Sequence, residues 1–178
     1  MDPVITASTS LCMSLLFAVA AVHKLRAPAV FRSALDEYRL LPKSLSALAA
    51  VILIVAELLA ALLVLIPAVR AAGFVIMAGL LLLYTAGIGI NLYRGRRDID
   101  CGCGGPASRH ELSGWLVVRN VLLIGLVVLA SVPSTGRSLN WLDLLLIAFT
   151  VLIASGLYLG INQLLAQAPR MARLRSGA

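Results

Sequence analysis

The chain has 178 residues, 61% of them hydrophobic and only 13% charged, with a mean hydropathy of +0.99. A soluble domain carries about 25% charged residues, so this composition excludes an ordinary water-soluble globule and places the chain in a lipid bilayer. The formal charge of +7 does not point to nucleic acid, because the basic residues lie between apolar runs instead of clustering on a soluble domain.

The first residues carry Asp2 and no Lys or Arg, so the positive start of a cleaved signal peptide is missing and the first apolar run, 4–23, is expected to be retained. Four more runs follow at 45–66, 68–92, 112–132 and 141–165. Each is near the roughly 20 residues that a helix needs to cross the hydrocarbon. The expectation is a single integral membrane domain over 1–178: an all-α polytopic transmembrane bundle of about five spans. Pro67 lies in a short turn between the second and third runs, and the segment 133–138 makes a similar turn between the fourth and fifth. Both pairs should therefore form antiparallel hairpins. Between the first two runs, Pro28 suits a helix start, Pro42 suits its end, and Phe31, Leu35 and Tyr38 recur at helical spacing. This segment reads as a short amphipathic helix in the membrane interface, with simple reconnection of two spans as its plainer role.

Charge sets an orientation. Lys24, Arg26, Arg32, Arg39 and Lys43, then Arg94, Arg96, Arg97 and Arg109, then Arg170, Arg173 and Arg175 fall on one side. The other side has Arg70 and Arg137. The positive-inside rule then places the N-terminus outside, with the 93–111 loop and the C-terminus in the cytoplasm.

That loop holds Cys101-Gly102-Cys103-Gly104-Gly105. A disulfide across one intervening residue closes a small strained ring, which is easily reduced. The glycines permit unusual backbone angles and close approach by a partner. Arg94, Arg96 and Arg97 would stabilise a thiolate if folded near it, and Asp98 and Asp100 oppose this. The pair suits thiol–disulfide exchange, and it also suits half a site for Cu(I) or Zn. A flexible loop with incidental cysteines is the bland alternative. Cys12 lies roughly 12 Å below the outer surface at 1.5 Å per residue, and a buried free cysteine usually acts as a small hydrophobe.

Glu57, near the middle of the second run, is costly in a bilayer and is a functional candidate for that reason. Arg119 and Asn120 lie about two turns into the fourth run. Glu57 and Arg119 are candidates for a buried pair, although their predicted depths differ. His23, Lys24, Asn91, Arg119 and Asn120 should gather beneath the cysteine loop, the plainer role of each being an interface anchor or an interhelical hydrogen bond. Asp143 is a candidate cap for the last helix. Trp115, Trp141 and Tyr93 fall near predicted span ends, as aromatic belts do. Gly87-Ile88-Gly89, and Gly156 with Gly160, permit close packing between helices or between copies in a homo-oligomer. No cofactor motif is evident, and neither a quinone nor a soft metal has a dedicated set of residues beyond the thiols.

His23-Lys24-Leu25, Tyr38-Arg39-Leu40-Leu41-Pro42, Glu57, Asn91-Leu92-Tyr93-Arg94-Gly95-Arg96, Cys101-Gly102-Cys103-Gly104 and Arg119-Asn120 together resemble the MauE family of methylamine-utilisation proteins, within the wider DoxX-like group. The resemblance runs from about residue 10 to the fifth run, and Cys-Gly-Cys-Gly is its most specific part. It implies a bacterial inner-membrane protein that supports maturation of the disulfide-rich small subunit of periplasmic methylamine dehydrogenase. A thioredoxin-like MauD-type partner is implied with it. On that basis Cys101 and Cys103 would form the redox pair, supported by His23 as a base and by Glu57, Arg119 and Asn120 as polar groups. The chain would be a thiol–disulfide oxidoreductase or an accessory factor to one. The chain carries Gly105-Pro106 where family members often have an aromatic. Two readings from other classes compete: a soft-metal or small-solute transporter, and a non-catalytic scaffold for a thioredoxin-like protein. A periplasmic client and a cytoplasmic thiol pair stand on opposite sides, which calls either for movement of reducing equivalents through the bundle or for a loop reached from outside.

Overall fold

A computed structural model describes residues 2–96, 99, 112–132 and 137–176, with side chains described as far as 164. Among these residues the protein is all-helical: α1 (Pro3–Arg26), α2 (Pro28–Tyr38), α3 (Lys43–Leu63), α4 (Arg70–Tyr93), α5 (Gly114–Ala130) and α6 (Trp141–Ser176), with one 3₁₀ turn at Pro67–Val69. Four stretches are long and apolar enough to cross a membrane: Pro3–Arg26, Lys43–Leu63, Pro67–Tyr93 and Trp141–Leu164. The chain is a polytopic helical bundle.

Local chemistry sets the helix ends. Asp2 caps α1 by accepting from the Val4 N–H at 2.9 Å, and Pro3 occupies a first-turn position where no amide donor is needed. Ala27 separates α1 from α2 at φ −138°, ψ 62°, because the ring of Pro28 disfavours the helical region for the residue before it. Arg39 ends α2 in the left-handed region at φ 49°. Asp143, in the first turn of α6, accepts the Asn140 N–H at 2.8 Å. This is the reach-back half of a capping box, and it specifies the cap expected of Asp143. The Pro133–Gly136 part of the last turn lies outside the described residues.

The spanning helices that follow one another along the chain run antiparallel, whereas α1 and α6 run parallel, with Arg137 bridging Asp2 and Asp143 where both begin. α1 packs on α3 and α6, and α4 packs on α3 and α5. The main core joins Met13 and Phe17 of α1, Ala60 and Ala61 of α3, Phe74 and Met77 of α4, and Val127 of α5. A second core, at the opposite end of α4 and α5, joins Ile88, Leu116, Ile99 and Leu112, with Tyr38 packed against it. α2 turns its apolar face inward: Phe31 packs with Ala50 and Ile54 of α3.

α5 has 17 residues, shorter than the 112–132 run, and spans about 26 Å at 1.5 Å per residue. Leu112 and Ser113 stay non-helical, with Ser113 extended at φ −134°, ψ 153°. Gly73 permits the tightest approach described. A Cβ there would lie 2.6 Å from the Val64 amide nitrogen and 2.9 Å from its Cα. The α3–α4 hairpin closes on that contact, and Arg70 Nε donates to the Val64 carbonyl at 3.2 Å.

Candidate functional site

Four helices each send one side chain to a buried charged cluster. Lys24 stands in the last turn of α1, where helical side chains lean back toward the N-terminus and so into the bundle. Its Nζ donates to Glu57 Oε1 from α3 and to the Tyr84 hydroxyl from α4 at 3.3 Å. Tyr84 in turn donates to the same Glu57 oxygen at 2.6 Å. The ring faces of Phe31, from α2, and Tyr84 each lie with their centroid 4.8 Å from the Lys24 ammonium, within cation–π range. Lys24 is 5% exposed and Glu57 1%. Glu57 Oε2 is buried and has no hydrogen-bond partner among the described residues.

This corrects the expected Glu57–Arg119 pair. Arg119 Nη1 donates to Asn162 Oδ1 of α6 at 3.4 Å and Nη2 to Asn120 Oδ1 at 3.3 Å. Its guanidinium lies 5.9 Å from the Tyr158 ring centroid. The reason is packing order: α3 packs on α1 and α4, and α5 packs on α4 and α1 without a comparable contact to α3, so Glu57 meets α1 and α4 while the long Arg119 side chain reaches α6. The five polar residues expected under the loop divide accordingly. Lys24 joins Glu57, Asn91 joins Arg96, and Arg119 joins Asn120 and Asn162. His23 is half-buried, and its carbonyl accepts the Ala27 N–H at 3.3 Å. Tyr84 and Asn162 were not singled out by sequence. A hydroxyl-bearing Tyr84-Thr85 pair inside an apolar run was the available signal for the first.

The second feature is the exit from α4. The Gly95 N–H donates to the Leu92 carbonyl and the Arg96 N–H to the Asn91 carbonyl, each at 3.0 Å, with Gly95 at φ 73°. These two bonds with a left-handed glycine make a Schellman cap. Fully buried Asn91 reinforces it: Nδ2 donates to the Gly87 carbonyl at 3.0 Å, and Oδ1 accepts from Arg96 Nη1 at 3.2 Å. The Asn91–Arg96 motif therefore ends α4 in a sharp turn. Beyond it Ile99 is 6% exposed and Leu112 2%, so both flanks of the cysteine segment are anchored in the second core.

Cys101 and Cys103 lie outside the described residues, as do Arg97, Asp98, Asp100 and Arg109. Cys12 is a half-buried free thiol in α1. Among the described residues no three His, Cys, Asp or Glu side chains converge as a metal site would require.

The family model described as methylamine utilisation protein MauE matches residues 1–133. The chain is 36% identical over 134 residues to the methylamine utilization protein MauE of Methylophilus methylotrophus, covering 74% of this chain and 70% of that one. It is 33% identical over 127 residues to the protein so named in Paracoccus denitrificans, covering 71% and 68%. No solved structure matches.

Proposed function

Because this chain belongs to the MauE family of methylamine-utilisation proteins, we propose that it supports thiol–disulfide chemistry during maturation of a periplasmic protein, together with a thioredoxin-like partner. The observation that carries this reading is the two-sided anchoring of the cysteine segment. The Schellman turn at Gly95 and buried Ile99 precede it, and buried Leu112 follows it. Exchange between a membrane protein and a partner calls for a cysteine segment fixed to the bundle at both ends, and Ile99 and Leu112 supply those fixed ends.

Exchange would proceed in two balanced steps. The thiolate of Cys101 or Cys103 attacks a partner disulfide, forming a mixed disulfide and releasing one partner thiolate, which takes a proton. The second cysteine then displaces the other partner sulfur, leaving a Cys101–Cys103 disulfide and a reduced partner. Two electrons pass to the partner, and the reverse sequence passes them back. Arg96 donates one guanidinium N–H to Asn91 and keeps its charge, so it and the other basic residues of the loop could assist a thiolate.

The same reading puts the protein in the bacterial inner membrane with its cysteine segment on the cytoplasmic side, following the basic residues. Its test uses Cys101→Ser and Cys103→Ser in turn. One of the two should accumulate a mixed disulfide with the thioredoxin-like partner, and each should abolish client maturation. Normal maturation in both variants would defeat the proposal and favour a scaffold. Cysteine-dependent retention of Cu(I) or Zn with no mixed disulfide would favour transport.

A further inference from the structure

The steps of the exchange proposed above draw on no atom of the Lys24–Glu57–Tyr84 cluster, whose hydrogen bonding is lopsided. Both donors within reach, the Lys24 ammonium and the Tyr84 hydroxyl, serve Glu57 Oε1. Among the described residues Oε2 has none, and Glu57 is only 1% exposed. A carboxylate spreads its charge over both oxygens, and an unserved charged oxygen away from water is strongly disfavoured. No described residue relieves the charge at Oε2, and a proton bound there would remove it.

The surroundings also tolerate neutralisation of the carboxylate. An ammonium that lost its only counter-charge in a bilayer would be expelled or deprotonated. Lys24 has a second electrostatic partner, the faces of Phe31 and Tyr84 at 4.8 Å. The ionisable groups bonded to Glu57 are Lys24 from α1 and Tyr84 from α4. α2 adds the Phe31 ring, while its Arg32 and Glu37 are exposed and its Asp36 makes no described bond to the cluster.

We propose that Glu57 is a proton-binding site embedded in the membrane, its Oε2 taking up and releasing one proton while Lys24 remains an ammonium held by the Phe31 and Tyr84 rings. Carboxylate and proton give the carboxylic acid, no electrons move, and the cluster alternates between neutral and singly positive. Uptake weakens the α1–α3 ion pair and shifts the hold on Lys24 toward Phe31, so proton occupancy also bears on the seat of α2. The proposal does not depend on the cysteines.

Infrared difference spectroscopy of the full chain in lipid nanodiscs tests it. Acidification should add to the bands of the other carboxyl groups a protonated-carboxyl component of one group per chain, at the higher frequency of a group without strong hydrogen bonding. That component should shift in heavy water, disappear in Glu57→Gln and persist when Cys101 and Cys103 are both serine. Glu57→Asp, which keeps the charge, should move the band without removing it, and so separates loss of the site from loss of the fold. A pH-dependent carboxyl band unchanged by both Glu57 variants, or no such band at all, would overturn the proposal.

Discussion

At Lys24, two residues before the end of α1, the position alone suits a side chain snorkelling to the membrane surface. The structure instead pairs it with Glu57 at 5% and 1% exposure. Removing one partner of such a pair strands a charge, whereas removing both need not. Lys24→Met should thus cost about 3–5 kcal/mol, and Lys24→Met with Glu57→Leu should recover most of that loss. Reversible unfolding in mixed micelles measures both, and additive losses would mean that the two residues do not interact. Gly95 offers a milder test outside the bundle interior. An alanine in its left-handed conformation should cost about 1–2 kcal/mol and loosen the α4 exit, read as faster amide exchange at Gly95 and Arg96. Glu57 was legible as special because an acid in an apolar run has few explanations. Its partners were not, because pairing depends on how far each helix slides along its neighbour, and hydropathy carries no such register.

At the scale of elements, the apolar runs marked the helices well, since length and hydropathy are what a span requires. They did less well at the ends, where α5 starts only at Gly114 because Leu112 and Ser113 stay outside the helix. They were silent on which glycines matter. Gly87 was expected to permit close helix packing, and it does admit an aromatic ring, with the Tyr38 edge 3.3 Å from where a Cβ would stand. Gly156 and Gly160, equally suggestive in sequence, meet nothing within 4 Å. Gly73, which drew no notice, faces backbone at 2.6 Å. Backbone cannot swing aside as a side chain can, so Gly73→Ala should separate the α3–α4 hairpin and cost about 1–3 kcal/mol. Gly156→Ala should change the stability of the monomer by no more than about 0.5 kcal/mol. Thermal unfolding of the two variants side by side checks the contrast, and equal effects would mean that the hairpin contact is not what holds α3 to α4.

Over the whole molecule, the charge asymmetry is sharper than a count of basic residues suggests. At the end bearing Asp2, Arg137 lies 3.0 Å from Asp143 and 3.5 Å from Asp2, and its bond to Asp143 raises its pKa further above the ordinary value for arginine. Arg70, half-buried, donates its Nε–H to the Val64 carbonyl. At the other end Arg26, Arg32, Arg39, Lys43 and Arg94 are all exposed, free to meet anionic headgroups, which attract basic residues by about 1 kcal/mol each. The positive-inside expectation thus rests on a contrast: at one end Arg137 is offset by two carboxylates, and at the other the basic side chains are exposed. The expected outcome is read on a chain with its three native cysteines changed to serine and one cysteine restored at a time. Ser138→Cys should react with a membrane-impermeant maleimide on spheroplasts, and Ser33→Cys, on α2, should react only after the membrane is opened. With that result Ile99 and Leu112, the two ends of the cysteine segment, lie at the cytoplasmic face, and the proposed exchange with a periplasmic client would need electrons to cross the bundle. The opposite labelling would put the cysteine segment on the client's side, where direct exchange with a periplasmic partner needs no crossing.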